Sequence, residues 1–157
     1  MPLRTQTPVR PPTYAGNNGV MAQRPAPPAS CPCGRPLPYE ECCAPAHRGS
    51  PPPTAEAVMR SRYSAYVLND NAYLLGSWHP DTRPAALDPE PGLRWAGLEV
   101  VSSTGGGMFD TEGVVEFRAG YVEHGTPGEM RERSRFVRHD GAWVYWGAIP
   151  VPGSFGS

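Results

Sequence analysis

The segment CPCGRPLPYEECC, Cys31 to Cys43, holds all four cysteines of the chain. They close disulfides, bind a metal or carry redox chemistry, and the choice decides how this part of the chain folds. Disulfides fit poorly. Adjacent Cys42 and Cys43 would bridge only through a strained ring, and the Cys31-x-Cys33 pair is little better. Pairing across the two halves needs an oxidising compartment. A redox pair favours C-x-x-C at a helix start, a spacing absent here. Four thiolates at the two ends of a short loop suit one tetrahedral Zn²⁺. Gly34 and Pro36 turn the chain after the first pair, and Pro38-Tyr39-Glu40-Glu41 starts a helical turn before the second. Zinc is therefore the preferred reading, with disulfides or free thiols and another metal behind it. The ion would be structural, because four sulfurs leave no open position for a catalytic water. His47 is a spare candidate ligand, able to stand in for Cys43, and is otherwise expected to be a surface residue.

The N-terminal side of this cluster is rich in proline. Residues 1–29 contain Pro2, Pro8, Pro11, Pro12, Pro25, Pro27 and Pro28 and no hydrophobic period, so they are expected to form a flexible tail, partly polyproline II. Met21 is an alternative start. The 157 residues carry a net charge of −1, which gives no push towards nucleic acid or an acidic membrane. No apolar run reaches the length of a membrane span, and the N-terminus has no apolar core of a secretory signal. These features predict a cytoplasmic protein with reduced thiols.

On the C-terminal side the pattern becomes helical. Thr54 is placed to cap a helix running from Ala55 to Asn69. At 100° per residue, Ala55, Met59, Tyr63 and Tyr66 share one face, flanked by Val58 and Ala65. Ala57, Ser61, Ser64 and Leu68 lie opposite, and this small-residue face suits packing against the cysteine element or a second subunit. Asp70 caps a second short helix in NAYLLGSW. Alternation then predicts strands near 93–103, 112–123, 129–139 and 142–149. Gly105-Gly106-Gly107 reads as a mobile turn, and Asp140-Gly141 is a strong hairpin signal. Helices followed by antiparallel strands mean an α+β domain with helices on one face of a curved sheet.

The segments CPCGRPLPYEECC, PTAEAVMRSRYSAYVLNDNAYLLGSWHPDTRP, WAGLEVV and ERSRFVRHDGAWVY together resemble the YchJ-like family of uncharacterised bacterial proteins. The first resembles the SEC-C motif, a zinc knuckle named for the tail of the SecA translocation motor. The match covers roughly residues 31–147. It implies a SEC-C knuckle followed by a cone-like domain of the nuclear transport factor 2 (NTF2) type, also called cystatin-like. Some members carry a second knuckle at the C-terminus; this sequence runs to PGSFGS without further cysteines. The resulting division is a tail over 1–29, a knuckle over 30–50, a cone domain over 51–150 and a flexible end over 151–157.

Arg62 stands out, because it falls within the apolar helix face. A buried guanidinium needs a partner or a polar cavity. Alternation in MRERSRFV puts Glu132, Ser134 and Phe136 on one strand face, so a pair between Arg62 and Glu132 is expected, with Glu116 as second choice. Arg131, Arg133 and Arg135 lie on the other face and are expected to be solvated beside acidic cross-strand neighbours. His79, with Asp81 close by, is the best acid–base candidate. The expected pocket therefore comprises Arg62, Tyr63, His79, Glu132 and Ser134. The chain has no G-x-S-x-G and no P-loop. Two function classes remain. One is a non-enzymatic module that docks a protein or assembly through the knuckle and holds a small molecule in the cone. The other is an isomerase or dehydratase of the kind such cones host, using His79, Glu132 and Tyr63.

Overall fold

The computed structural model describes residues 30–88 and 90–150. The expected tail and flexible end lie outside those residues. A short 3₁₀ turn at Tyr39–Glu41 leads into α1 (Ala44–His47), followed by α2 (Ala55–Leu68) and α3 (Asn71–Gly76). Four strands complete the described chain: β1 (Leu93–Gly105), β2 (Glu112–Glu123), β3 (Thr126–His139) and β4 (Ala142–Ile149). They form one antiparallel meander in the order β1-β2-β3-β4. The expected α+β fold is therefore present.

Local chemistry sets the helix limits. Thr54 Oγ1 accepts from the Ala57 amide at 3.1 Å, and Asp70 Oδ1 accepts from the Tyr73 amide at 3.0 Å. Each satisfies an amide that the first turn leaves without a partner. Asn69 ends α2 in the left-handed conformation, with φ 59°. Register shifts in β1 between Trp95 and Gly97 and between Val100 and Ser102, and in the β3–β4 pair at Arg135/Phe136, bend the sheet. Helix α2 lies across it, burying Ala55, Val58, Met59 and Tyr63 against Val115, Phe117, Ala119, Phe136 and Trp143.

The opposite side of α2 is buried as well. Ser61 and Ser64 are 1% and 0% exposed, because the cysteine element and α3 cover the side that the sheet leaves open. Of the predicted packing face, Ser64 meets Cys31 and Ser61 meets Tyr73 and His47, while Leu68 is exposed. Tyr66, expected inside, is instead 38% exposed and meets Trp95 edge-on.

The glycine-rich turn expected to be mobile is pinned. Arg138 donates to the carbonyls of Gly107, Met108 and Asp110, and the Ala55 amide donates to Gly106 O at 2.9 Å. A Cβ on Gly106 (φ +75°) would meet Ala55 Cβ at 2.6 Å, and one on Gly113 would meet Gly106 Cα at 2.5 Å and Ala55 Cβ at 3.1 Å. The turn, the edge of β2 and the first residue of α2 thus share a contact with no spare volume.

Candidate metal centre and cone cavity

The cysteine element is a loop closed on itself. The Cys31 amide donates to Leu37 O at 2.7 Å, the Gly34 amide donates to Cys31 O at 3.1 Å, and Ser30 pairs with Pro38 as an isolated bridge. Gly34 sits at φ +95°, a conformation that favours glycine. The 3₁₀ turn and α1 then swing Cys42 and Cys43 back onto the first pair. All four sulfurs lie within 4.8 Å of one another, with Cys33 and Cys42 Sγ at 3.5 Å. Around one tetrahedral Zn²⁺, with bonds near 2.3 Å, sulfurs sit roughly 3.8 Å apart. The donor set fits a single ion. Cys31, Cys33 and Cys43 are buried, and all four are free thiols.

Their proton affinities are interdependent. The Cys33 thiol is pulled down to about 4, first by the hydrogen bond from Cys43, with the Arg35 amide and Cys42 helping, against the cost of burial. Burial first, and then the Cys33 sulfur, pushes Cys42 up to about 11. The hydrogen bond to Cys33, then burial, pushes Cys43 far above the ordinary thiol range. The first thiolate is favoured by donors from its neighbours, and each later one meets negative charge. A cation at the centre removes that opposition.

Helix α2 holds this element. Ser64 Oγ is 3.5 Å from Cys31 Sγ, and Arg60 Nη1 donates to Cys33 O at 2.8 Å. His47 is not part of the sulfur cluster. Its Nε2 donates to Ser61 O at 2.8 Å, and Nδ1 is 2.7 Å from Tyr39 Oη. A backbone carbonyl only accepts, so Nε2 carries the proton. His47 is thus half-buried and ties α1 to α2, rather than lying on the surface or serving as a ligand.

On the other side of α2, the bent sheet leaves a cavity of about 180 Å³. Arg62, Tyr63, Glu132 and Ser134 line it, and His79 does not. The walls include Met59, Phe117, Met130 and Phe136. Arg62 does not pair with Glu132 or Glu116. Its Nη1 donates to Leu74 O at 2.7 Å and Ser77 Oγ at 2.9 Å, satisfying a carbonyl at the end of α3. The guanidinium lies 4.8 Å from the Trp78 ring centroid and 4.4 Å from that of Tyr145. Burial lowers its pKa from the ordinary arginine value, yet guanidinium remains protonated in proteins.

Glu132 takes other partners: its Oε2 accepts from Ser134 Oγ at 2.7 Å and Tyr145 Oη at 2.8 Å. Burial, then the Glu132 charge, holds the Tyr145 phenol well above its usual range. Tyr145 is placed by the segment after α3: its amide donates to Ser77 O at 2.9 Å, and the His79 amide donates to Tyr145 O at 2.8 Å. Tyr63 Oη accepts from the Gly97 amide at 2.9 Å, which fixes the ring while leaving its O–H as a donor.

His79 packs outside the cavity, against His139 and Trp146 with ring centroids 4.8 Å away in each case. Its Nδ1 accepts from the Asp81 amide at 3.0 Å, making it a turn residue. Glu116 faces the other side of the sheet, between Arg131 and Arg133, and Arg135 pairs with Glu112. The arginine row therefore has the acidic cross-strand neighbours expected of it. Sequence reasoning missed Tyr145 and Met130 as cavity residues, whereas Trp95 is the core or pocket-wall residue that it reads as. Alternation from Trp143, read across the Asp140-Gly141 hairpin, would have brought in Tyr145.

Residues 54–148 match the family described as YchJ, middle NTF2-like domain. A UPF0225 protein of Streptomyces coelicolor is 56% identical over 122 residues, covering 77% of this chain and 94% of that protein. A UPF0225 protein of Bordetella bronchiseptica is 43% identical over 129 residues, covering 80% and 96%. The solution structure of a SEC-C motif containing protein from Rhodopseudomonas palustris aligns with TM-score 0.69 at 30% identity, over 78% of this chain and 99% of that one. The crystal structure of a sec-c motif containing protein from Psychrobacter arcticus aligns with TM-score 0.61 at 28% identity, over 82% and 84%.

Proposed function

The chain belongs to the YchJ family of NTF2-like-domain proteins with a SEC-C-type cysteine cluster, and from that premise we propose that it is a zinc-stabilised, non-enzymatic binding protein. Cys31, Cys33, Cys42 and Cys43 hold one structural Zn²⁺, which supplies folding energy to an element too short for its own core. The cone cavity takes a small molecule, and the outer surface of the knuckle docks a protein or assembly. The thiolates require a reducing compartment, which fits the cytoplasm.

The observation that carries the binding reading is the composition of the cavity. It gathers apolar walls and a few convergent polar groups, the usual make-up of a ligand site, while His79 lies outside it. The catalytic alternative keeps Glu132, a carboxylate in an apolar cavity suited to proton abstraction. Of its other two acid–base candidates, His79 lies outside the cavity, whereas Tyr63 lines it and keeps its O–H proton, since the Gly97 amide takes up only an acceptor site.

Elemental analysis of protein purified under reducing conditions is expected to give one zinc per chain, and native mass spectrometry a small-molecule adduct. Metal-free protein with bridged thiols would remove the knuckle. In a pull-down, Cys33→Ser is expected to lose partners that the unaltered chain retains; retention of every partner would take the knuckle out of the interface.

A further inference from the structure

Arg62 and Glu132 line the same cavity and carry opposite charges, yet they do not meet. Among the described residues, no carboxylate lies within 4.0 Å of the guanidinium. Its bonds all come from Nη1; Nε and Nη2 have no hydrogen-bond partner among these residues. Glu132 likewise uses only Oε2, and Oε1 is unpartnered there. Tyr145 stands between them, its ring face against the guanidinium and its hydroxyl on the carboxylate. Arg62 is 5% exposed. A charge at that depth is costly without an ionic partner, and contact with two aromatic rings offsets only part of the cost.

We propose that the cavity takes a small organic acid. Its carboxylate meets the Nε and Nη2 edge of Arg62, and a hydroxyl or amine across its apolar body donates to Glu132. This assignment rests on the small-ligand reading of the cone. The paired edge of a guanidinium matches a carboxylate bidentately. Glu132 would repel a plain anion, and a donor at the far end of the ligand turns that repulsion into a bond. The volume of about 180 Å³ suits one ring with short substituents, since an apolar cavity of about 150 Å³ accepts benzene.

The probe is 4-hydroxybenzoate, titrated calorimetrically into the full-length, zinc-loaded protein. 4-Hydroxybenzamide lacks the charge, benzoate lacks the donor, and each is expected to bind about tenfold more weakly or worse. Arg62→Lys keeps the charge, removes the fork and is expected to lose about tenfold in affinity for 4-hydroxybenzoate. Glu132→Gln serves if the arginine variant fails to fold, and it should shrink the gap between 4-hydroxybenzoate and benzoate. Equal binding of acid and amide would overturn the acid assignment and leave the cavity reading standing. If neither acid binds, toluene, which carries neither polar group, separates the two ideas. Toluene shifts at the Met59 and Met130 methyl signals would sink the assignment alone, and their absence would sink both.

Discussion

The cysteine element and the cone cavity lie on opposite sides of α2 and are built in opposite ways. The first takes its four donors from thirteen consecutive positions, Cys31 to Cys43. The second draws Arg62 from a helix, Glu132 and Ser134 from β3 and Tyr145 from β4. A local cluster can be set by a few turns and one ion. A dispersed one exists only after the sheet has closed and bent. Failure of the metal should therefore be local, whereas failure of the core should be global.

Removing the metal is the strongest way to test that contrast. Structural zinc in small elements is worth on the order of 10 kcal/mol of apparent binding free energy. Chelation, or Cys33→Ser, is expected to strip hydrogen-exchange protection from the Cys31, Gly34 and Cys42 amides while β2 and β3 stay protected. Loss of protection throughout the sheet would show that the two regions fold as one unit. Next in size is Phe136→Ala. Phe136 is 1% exposed, so about 3–5 kcal/mol should be lost in a denaturant titration, with zinc stoichiometry unchanged in the folded fraction.

Ser64 tests the seam between the regions. Ser64→Ala removes the hydroxyl near Cys31 Sγ and is expected to weaken zinc retention about tenfold in chelator competition, with a stability loss near 1 kcal/mol. Unchanged retention would mean that α2 merely touches the knuckle.

The smallest effect concerns the outer face of the sheet. The Arg135 hydrogen bond holds the Glu112 carboxyl below its ordinary 4.5. A lowered folded value gives stability that is present above 4.5 and lost as pH falls through the folded value. Glu112→Gln should thus lower Tm slightly at neutral pH, and the difference should vanish in acid. A gap that grew on acidification would contradict the pairing.

Much of this was legible in the sequence, for different reasons in each region. The sulfur cluster could be read because its ligands are close in the chain. The strand positions and the common face of Glu132, Ser134 and Phe136 followed from period-two alternation. Arg62 was visible as an anomaly, but its partner was not. Alternation ranks side chains as partners, whereas Arg62 bonds a backbone carbonyl at the end of α3 and the hydroxyl of Ser77. His79 misled for a related reason. A turn histidine beside an acid looks like chemistry, and only the path of the chain after α3 shows that its ring lies outside the cavity.

The tight contact of Ala55 with Gly106 and Gly113 has an evolutionary consequence. Two of the three residues are already the smallest available, and at Gly113 the obstruction is the backbone of Gly106, 2.5 Å from a Cβ, which no substitution can shrink. Shortening Ala55 to glycine would clear part of the space at the expense of helix propensity and would still leave Gly113 facing backbone. Drift at Gly113 has no compensatory route, and descendants that keep the fold are expected to retain that glycine or to rebuild the whole turn at once.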